Sequence, residues 1–361
     1  MKRLFTGFIF ISLFTGCISP ELRTARIAVN ERDWNRAIKS LDVEIARMPQ
    51  SAEAWYLRGW CFENLGDWVN MTQAFDRSLG ISTQFEEKIK DTRLRLVARY
   101  YGRAYAEDST AHGLIANTQD SLAWNKANEL WSAVFACLDT AIIIEPRDVR
   151  LYQQAAVMGY NSKHYERAGQ YALKAMELEK PGEPEISVRE VMLSIAIGKK
   201  DDNEIVKWAR ELMNSVDPQK ESDIYLHGYD ATLTAYMDQN QIEKAQEITK
   251  EVISHFPKHP DVLMNLAILM IKRSDYNSAK QIFSDILAIE PDNFEANLNL
   301  GTILVNQDKW LESIVYLDKA YKMQPDNKIA IQNLMAAYFN SGQEPKGKEM
   351  KKALDDLGGM K

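Results

Sequence analysis

Residues 260–293 read "PDVLMNLAILMIKRSDYNSAKQIFSDILAIEPDN" and residues 294–327 read "FEANLNLGTILVNQDKWLESIVYLDKAYKMQPDN", two stretches of equal length that close on the same Pro-Asp-Asn. Laid over one another they put Tyr276 on Trp310, Ala279 on Ser313 and Pro291 on Pro325. The same 34-residue step reaches back to Ile242, and it recurs between Trp34 and Trp68 and between Trp131 and Tyr165. Three residues after these landmarks stand Ala37, Met71, Val134, Ala168, Ala245, Ala279 and Ser313, mostly small. Prolines follow at Pro49, Pro146, Pro257, Pro291 and Pro325. A fixed period of this length is the mark of one supersecondary unit repeated. Small residues let two helices approach closely, and proline cannot continue a helix and so opens the next turn. A single hairpin cannot bury its apolar face, which obliges the units to stack.

These stretches, with "SAEAWYLRGWCFENLGDWVNMTQAF" from Ser51, resemble the tetratricopeptide repeat family. Leu263, Leu266 and Ala267, and Leu298, Leu300 and Gly301, carry its opening pattern; the aromatic at the turn and the terminal proline complete it. The resemblance implies an all-α fold, a right-handed superhelical solenoid of antiparallel helix pairs. About nine units are expected: 18–51, 52–85, 86–148, 149–182, 183–225, 226–259, 260–293, 294–327 and 328–361. The first two form an N-terminal block over 21–85, the fifth is degenerate, and 328–361 is a capping pair in which Pro345 can open the last helix.

The third unit, 86–148, is far longer than its sisters. It reads as two lengthened helices, "FEEKIKDTRLRLVARYYGRAYAE" and "DSLAWNKANELWSAVFACLDTAIIIEP", joined by "DSTAHGLIANTQD". We expect two sub-solenoids to meet at this insertion, ahead of the units in 149–327.

The N-terminus carries a different signal. After Met-Lys-Arg an apolar run, residues 4–14, leads to Thr15, Gly16 and Cys17. A basic start and a short apolar core describe a secretory signal, too short to span a bilayer permanently. Its end resembles a lipobox, with Phe14 where that pattern favours leucine. The resemblance implies that residues 1–16 are removed and that Cys17 is lipidated, a lasting anchor when several acyl chains are attached. Ile18 follows the cysteine instead of the aspartate that signals inner-membrane retention, which implies the periplasmic face of an outer membrane. Residues 17–20 would be a short tether ahead of a helix near Glu21, holding the first repeat close to the headgroups.

Formal charge is −7 with no basic block, which argues against nucleic acid as a partner. No G-x-S-x-G, H-E-x-x-H or P-loop is present, so no enzyme and no cofactor are expected. His255 and His259 flank Pro257 across a turn and lack a third ligand, which does not make a zinc site. Asp201-Asp202 and Asp355-Asp356 read as solvated charge. Cys61 and Cys137 read as small core residues, although the sequence does not set their separation.

By the family's register, the inner face of each first helix is the binding surface. It displays Tyr56, Trp60, Glu63 and Asn64 in unit 2, and Gln153, Tyr160 and Asn161 in unit 4. Met264, Ile268 and Lys272 follow in unit 7, Leu298, Thr302 and Asn306 in unit 8, and Gln332, Phe339 and Asn340 in unit 9. Asn30, Asn64, Asn161, Asn306 and Asn340 recur at one place, where closing the turn is favoured over touching a ligand. Tyr56, Trp60, Leu298 and Thr302 stand where a related sub-family's carboxylate clamp has Lys and Asn, which argues against such a clamp. The resulting expectation is an anchored scaffold for envelope proteins or extended peptides. The alternative is a carrier or transporter accessory with a small-molecule pocket among Tyr100, Tyr101, Tyr105, Trp124 and Trp131.

Overall fold

The computed structural model describes residues 18–358, and these hold 18 α-helices and no strand. Cys17 and the segment before it lie outside the described residues. The chain divides into two compact units, one ending at Val188 and the other beginning at Arg189. The first contains α1 (Pro20–Asn30), α2 (Trp34–Arg47), α3 (Ala52–Leu65), α4 (Trp68–Ile81), α5 (Glu86–Ile115), α6 (Ser121–Ile144), α7 (Val149–Asn161) and α8 (Tyr165–Glu177). The helix α9 (Ile186–Lys199) contains the division. The second unit continues with α10 (Asp202–Asn214), α11 (Ser222–Asp238), α12 (Ile242–His255), α13 (Pro260–Lys272) and α14 (Tyr276–Ile289). It ends with α15 (Phe294–Asn306), α16 (Trp310–Met323), α17 (Lys328–Asn340) and α18 (Glu344–Gly358). The architecture is an all-α repeat solenoid.

The periodic residues explain the hairpins. Trp34, Trp68, Tyr165, Ile242, Tyr276 and Trp310 each begin a second helix, and the residues three further on are fully buried in every case. Helix contact here excludes even a methyl group at the glycines: a Cβ on Gly59 would lie 2.4 Å from the Phe75 ring, and one on Gly301 2.6 Å from Leu317. Between the helices the chain turns through the left-handed region, at Arg32, Lys163, Asn240, Ser274 and Asp308 as well as at Gly66 and Gly342. The next amide then bonds back to the first helix, as Asp67 N–H does to Phe62 O at 3.0 Å and Lys309 N–H to Leu304 O at 2.9 Å. That geometry satisfies carbonyls the helix end leaves open.

A second tie joins successive hairpins. The carbonyl of the terminal proline accepts from a side chain six residues on: Trp55 Nε1 to Pro49 at 3.0 Å, Tyr152 Oη to Pro146 at 3.3 Å, and Asn297 Nδ2 to Pro291 at 3.1 Å. Asn293 and Asn327 of the Pro-Asp-Asn turns cap α15 and α17 by accepting from Ala296 and Ala330 amides.

Two expectations are corrected. The joining stretch of the third unit is largely helical, because α5 continues to Ile115. Packing carries it on: Ala111 is buried, Trp131 Nε1 donates to Asp108 at 3.1 Å, and the His112 ring meets Trp131 edge-on. The long hairpin also does not separate two sub-solenoids; it stacks on both neighbours within the first unit. Thr72 Oγ1 donates to Ile143 O at 3.1 Å on one side, and Tyr101 Oη to Gln154 at 3.3 Å on the other. The division falls instead in the degenerate fifth repeat. Finally, the helix expected near Glu21 begins at Pro20, with Ser19 as its buried N-cap. Ser19 Oγ accepts from Leu22 N–H at 3.0 Å and donates to the buried Glu44 carboxylate at 2.6 Å.

Candidate functional site

In α3, Trp60 is 38% exposed and its ring lies 6.4 Å from that of Trp34. Gly59 beside it is buried against Phe75, so α3 turns its small residue inward and holds the indole out. Tyr56 is placed differently: its ring stacks on Phe85 at 4.4 Å, nearly parallel, and on Phe75 at 6.0 Å. It belongs to the packing between α3 and the start of the third hairpin, and burial, with the Glu63 charge second, raises its phenol pKa. Glu63 accepts from Arg95 of α5 at 2.6 Å. Asn64 donates to Trp60 O at 2.9 Å, closing its own helix turn.

In α7, Gln153 donates to the Ser187 hydroxyl. Tyr160 is half-buried with its ring 5.7 Å from Tyr165, and Asn161 is exposed, its carbonyl 3.4 Å from His112 Nε2. The second unit continues the pattern within itself. Ile268 and Phe339 are each 37% exposed, while Met264 and Leu298 pack half-buried against apolar clusters. Lys272, Asn306 and Gln332 are exposed. Asn340 donates to Ala336 O at 2.8 Å, the same turn closure as Asn64.

Sequence reasoning missed a second asparagine series. Asn265, Asn299 and Asn333 stand 34 residues apart on the first helices of three consecutive repeats, each half-buried. Asn333 Nδ2 donates to Thr302 Oγ1 at 2.8 Å, which itself donates to Leu298 O at 2.7 Å, so the amide bridges α17 to α15. Asn265 sits beside the Tyr229 hydroxyl, and the Asn299 side chain makes no hydrogen bond among the described residues. Running the 34-residue period over asparagine alone would have found them. An amide with spare donor and acceptor capacity can pair with the backbone of an extended chain.

The five aromatics of the third unit do not line one closed chamber. Trp131 is 1% exposed, packed among Trp124, His112 and His164, whereas Tyr105 is 62% exposed. Tyr100 meets Trp68 edge-on at 5.6 Å, and Tyr101 is tied to Gln154. The small-molecule reading therefore does not find these five rings gathered around one enclosed space. Among the described residues, α6 is the one helix long and apolar enough to cross a membrane; Trp131, Val134, Phe135, Leu138 and Ile144 on it are buried within the first unit.

Cys61 and Cys137 are buried free thiols, and burial pushes Cys61 up to about 11. His255 ends α12 with its ring 5.6 Å from Tyr225, and His259 precedes α13 as its cap residue. Among the described residues no three His, Cys, Asp or Glu side chains are grouped to hold a metal ion.

Residues 22–84, together with the overlapping stretches 236–296 and 270–338, match models of the tetratricopeptide repeat. The chain carries tetratricopeptide repeats in these stretches. Solved structures similar to it include "YrrB: a TPR protein with an unusual peptide-binding site", 16% identical, spanning 54% of this chain and 96% of that one with a TM-score of 0.42. Another is MamA residues 41 to the end from Desulfovibrio magneticus RS-1, 14% identical, spanning 48% and 94% with a TM-score of 0.41. No curated protein matches the chain in sequence. Its tetratricopeptide repeats suggest a protein–protein interaction scaffold with peptide or protein partners, and repeats of this family are generally non-enzymatic.

Proposed function

We propose that the protein is a non-enzymatic scaffold, fixed to a bacterial envelope membrane through a lipidated Cys17, that holds extended peptides or protein surfaces against its inner-face residues. One observation carries the binding half of this reading. Trp60 in α3 and Ile268 in α13 occupy the same place in their repeats, and both stay more than a third exposed while Gly59 and Ala267 beside them are buried. Large apolar side chains held out of the core at a recurring place are the usual anchors of an interface. Asn299 and the Asn333 amide supply polar partners on the neighbouring helices of the second unit.

The anchoring half rests on the sequence around Cys17, and the periplasmic face of an outer membrane is its favoured location. Ser19, tied to Glu44, supports a close approach, since only Ile18 separates Cys17 from the first fixed residue.

Photo-crosslinkers at positions 60 and 268 in the native cell test the scaffold. A discrete, reproducible envelope partner is the expected product, and its absence from both positions removes the reading. Acyl labelling tests the anchor separately: loss of label in Cys17→Ser supports it, and unchanged label refutes it.

A further inference from the structure

Sister repeats differ at one spot on the side of α3 that faces α2 and α4. The fourth residue of the first helix is Tyr152 in α7, Asn297 in α15 and Ile331 in α17, and the seventh is Ala155, Leu300 and Leu334; all six are buried. In α3 the same two places hold Trp55 and Arg58, both half-exposed. Two adjoining cavities of about 660 and 440 Å³ open here and share Trp55, Asp76 and Arg77. Together they form a trough along α3 and α4 that includes none of the inner-face residues.

Most of its polar groups are already engaged. The Trp55 N–H is taken by Pro49 O, which fixes the indole; the Arg58 guanidinium lies over one face of the ring, 5.8 Å from its centroid, and leaves the opposite face to offer. Arg58 donates to Asp42 at 2.8 Å and lies against Phe62, and Asp76 accepts from Arg93 at 2.6 Å. Asn70 donates to Asp67 at 2.7 Å and keeps its carbonyl. Gln73 and Arg77 are exposed and have no partner. The trough thus presents an aromatic face, spare carboxamide groups and one uncompensated positive charge.

We propose that this trough binds an acidic pyranose sugar, with the ring on Trp55, the carboxylate on Arg77 and ring hydroxyls on Gln73 and Asn70. The C–H bonds on one face of a pyranose carry partial positive charge and suit the negative face of an indole. Hydroxyls around the ring both donate and accept, as a carboxamide does, and a guanidinium matches a carboxylate bidentately. A purely apolar ligand would leave Gln73 and Arg77 unpaired.

Calorimetry and saturation-transfer NMR on the purified protein, with trigalacturonic acid and neutral cellotriose as probes, test the assignment. Trigalacturonic acid binds about tenfold more tightly than cellotriose, the ratio expected of one charge-assisted contact. Arg77→Gln, on an exposed residue, abolishes that difference with helicity unchanged. Gln73→Ala weakens both sugars several-fold, and Trp55→Phe reports the indole if the variant folds. The proposal is overturned by absence of saturation transfer at millimolar sugar, by affinities that Arg77→Gln and Gln73→Ala leave unchanged, or by triglutamate binding as tightly as trigalacturonic acid.

Discussion

Gly301 and Leu317 touch so closely that a methyl group on residue 301 would stand 2.6 Å from Leu317 Cγ. Gly59 and Phe75 repeat the relationship in the first unit at 2.4 Å. Gly301→Ala and Gly59→Ala are expected to destabilise by about 1–3 kcal/mol each, the usual penalty of overpacking. Gly102→Ala meets nothing within 4 Å in the interior of α5 and should stabilise by up to about 1 kcal/mol, since alanine is the better helix former. Urea denaturation of the three variants gives the comparison, and equal effects at all three positions would contradict the packing.

Ser19 and Glu44 make a second test. Ser19→Ala removes a helix cap and leaves a buried carboxylate oxygen without its donor, so a loss of about 1–2 kcal/mol is expected. Hydrogen exchange at the amides of α1 should rise in the variant before that of α3 does, because the tie holds only the first helix to α2.

Tyr171 donates to Asp139 at 2.5 Å, and Arg167 donates to the same carboxylate at 2.7 Å. Burial first, then the hydrogen bond to Asp139, hold its phenol well above the usual tyrosine range. The folded state therefore keeps a proton that the unfolded chain gives up. This contribution is complete below the unfolded pKa of about 10 and is lost as pH rises above it. Thermal melts across the alkaline range should show Tyr171→Phe with a shallower decline than the parent.

Cys61 offers a chemical readout. Its thiol is fully buried and pushed up to about 11, so the reactive thiolate is scarce near neutral pH. Iodoacetamide should leave Cys61 unmodified in the folded protein and alkylate it promptly in denaturant. Rapid labelling of the native chain would contradict its burial on α3 in the apolar cluster shared with α1 and α2.

What the sequence makes legible is whatever a short period records. The second helices α2, α4, α8, α12, α14 and α16 begin where the periodic large residues fall, because these contacts lie within one hairpin. The end of α5 at Ile115 is not legible in this way, since it depends on Trp131 and Asp108, which are distant in sequence. Of the candidate surface, Trp60, Ile268 and Phe339 stand out from the core, each more than a third exposed. Tyr56 does not, because Phe85 from the following element covers it. The asparagine place that drew attention closes helix turns at Asn64 and Asn340, while Asn265, Asn299 and Asn333 carry no local sign beyond their spacing.

The ties to the proline carbonyls have a mechanical consequence. In the second unit Asn297 clasps Pro291, but Leu263 and Ile331 stand at the equivalent places after Pro257 and Pro325, and neither has a donor on its side chain. In an array held together by nearest neighbours, junctions so unequal do not yield together. Under tension applied along the chain, the second unit should part at residues 257 and 325 before 291, so that α13 to α16 leave as one block with two clean edges.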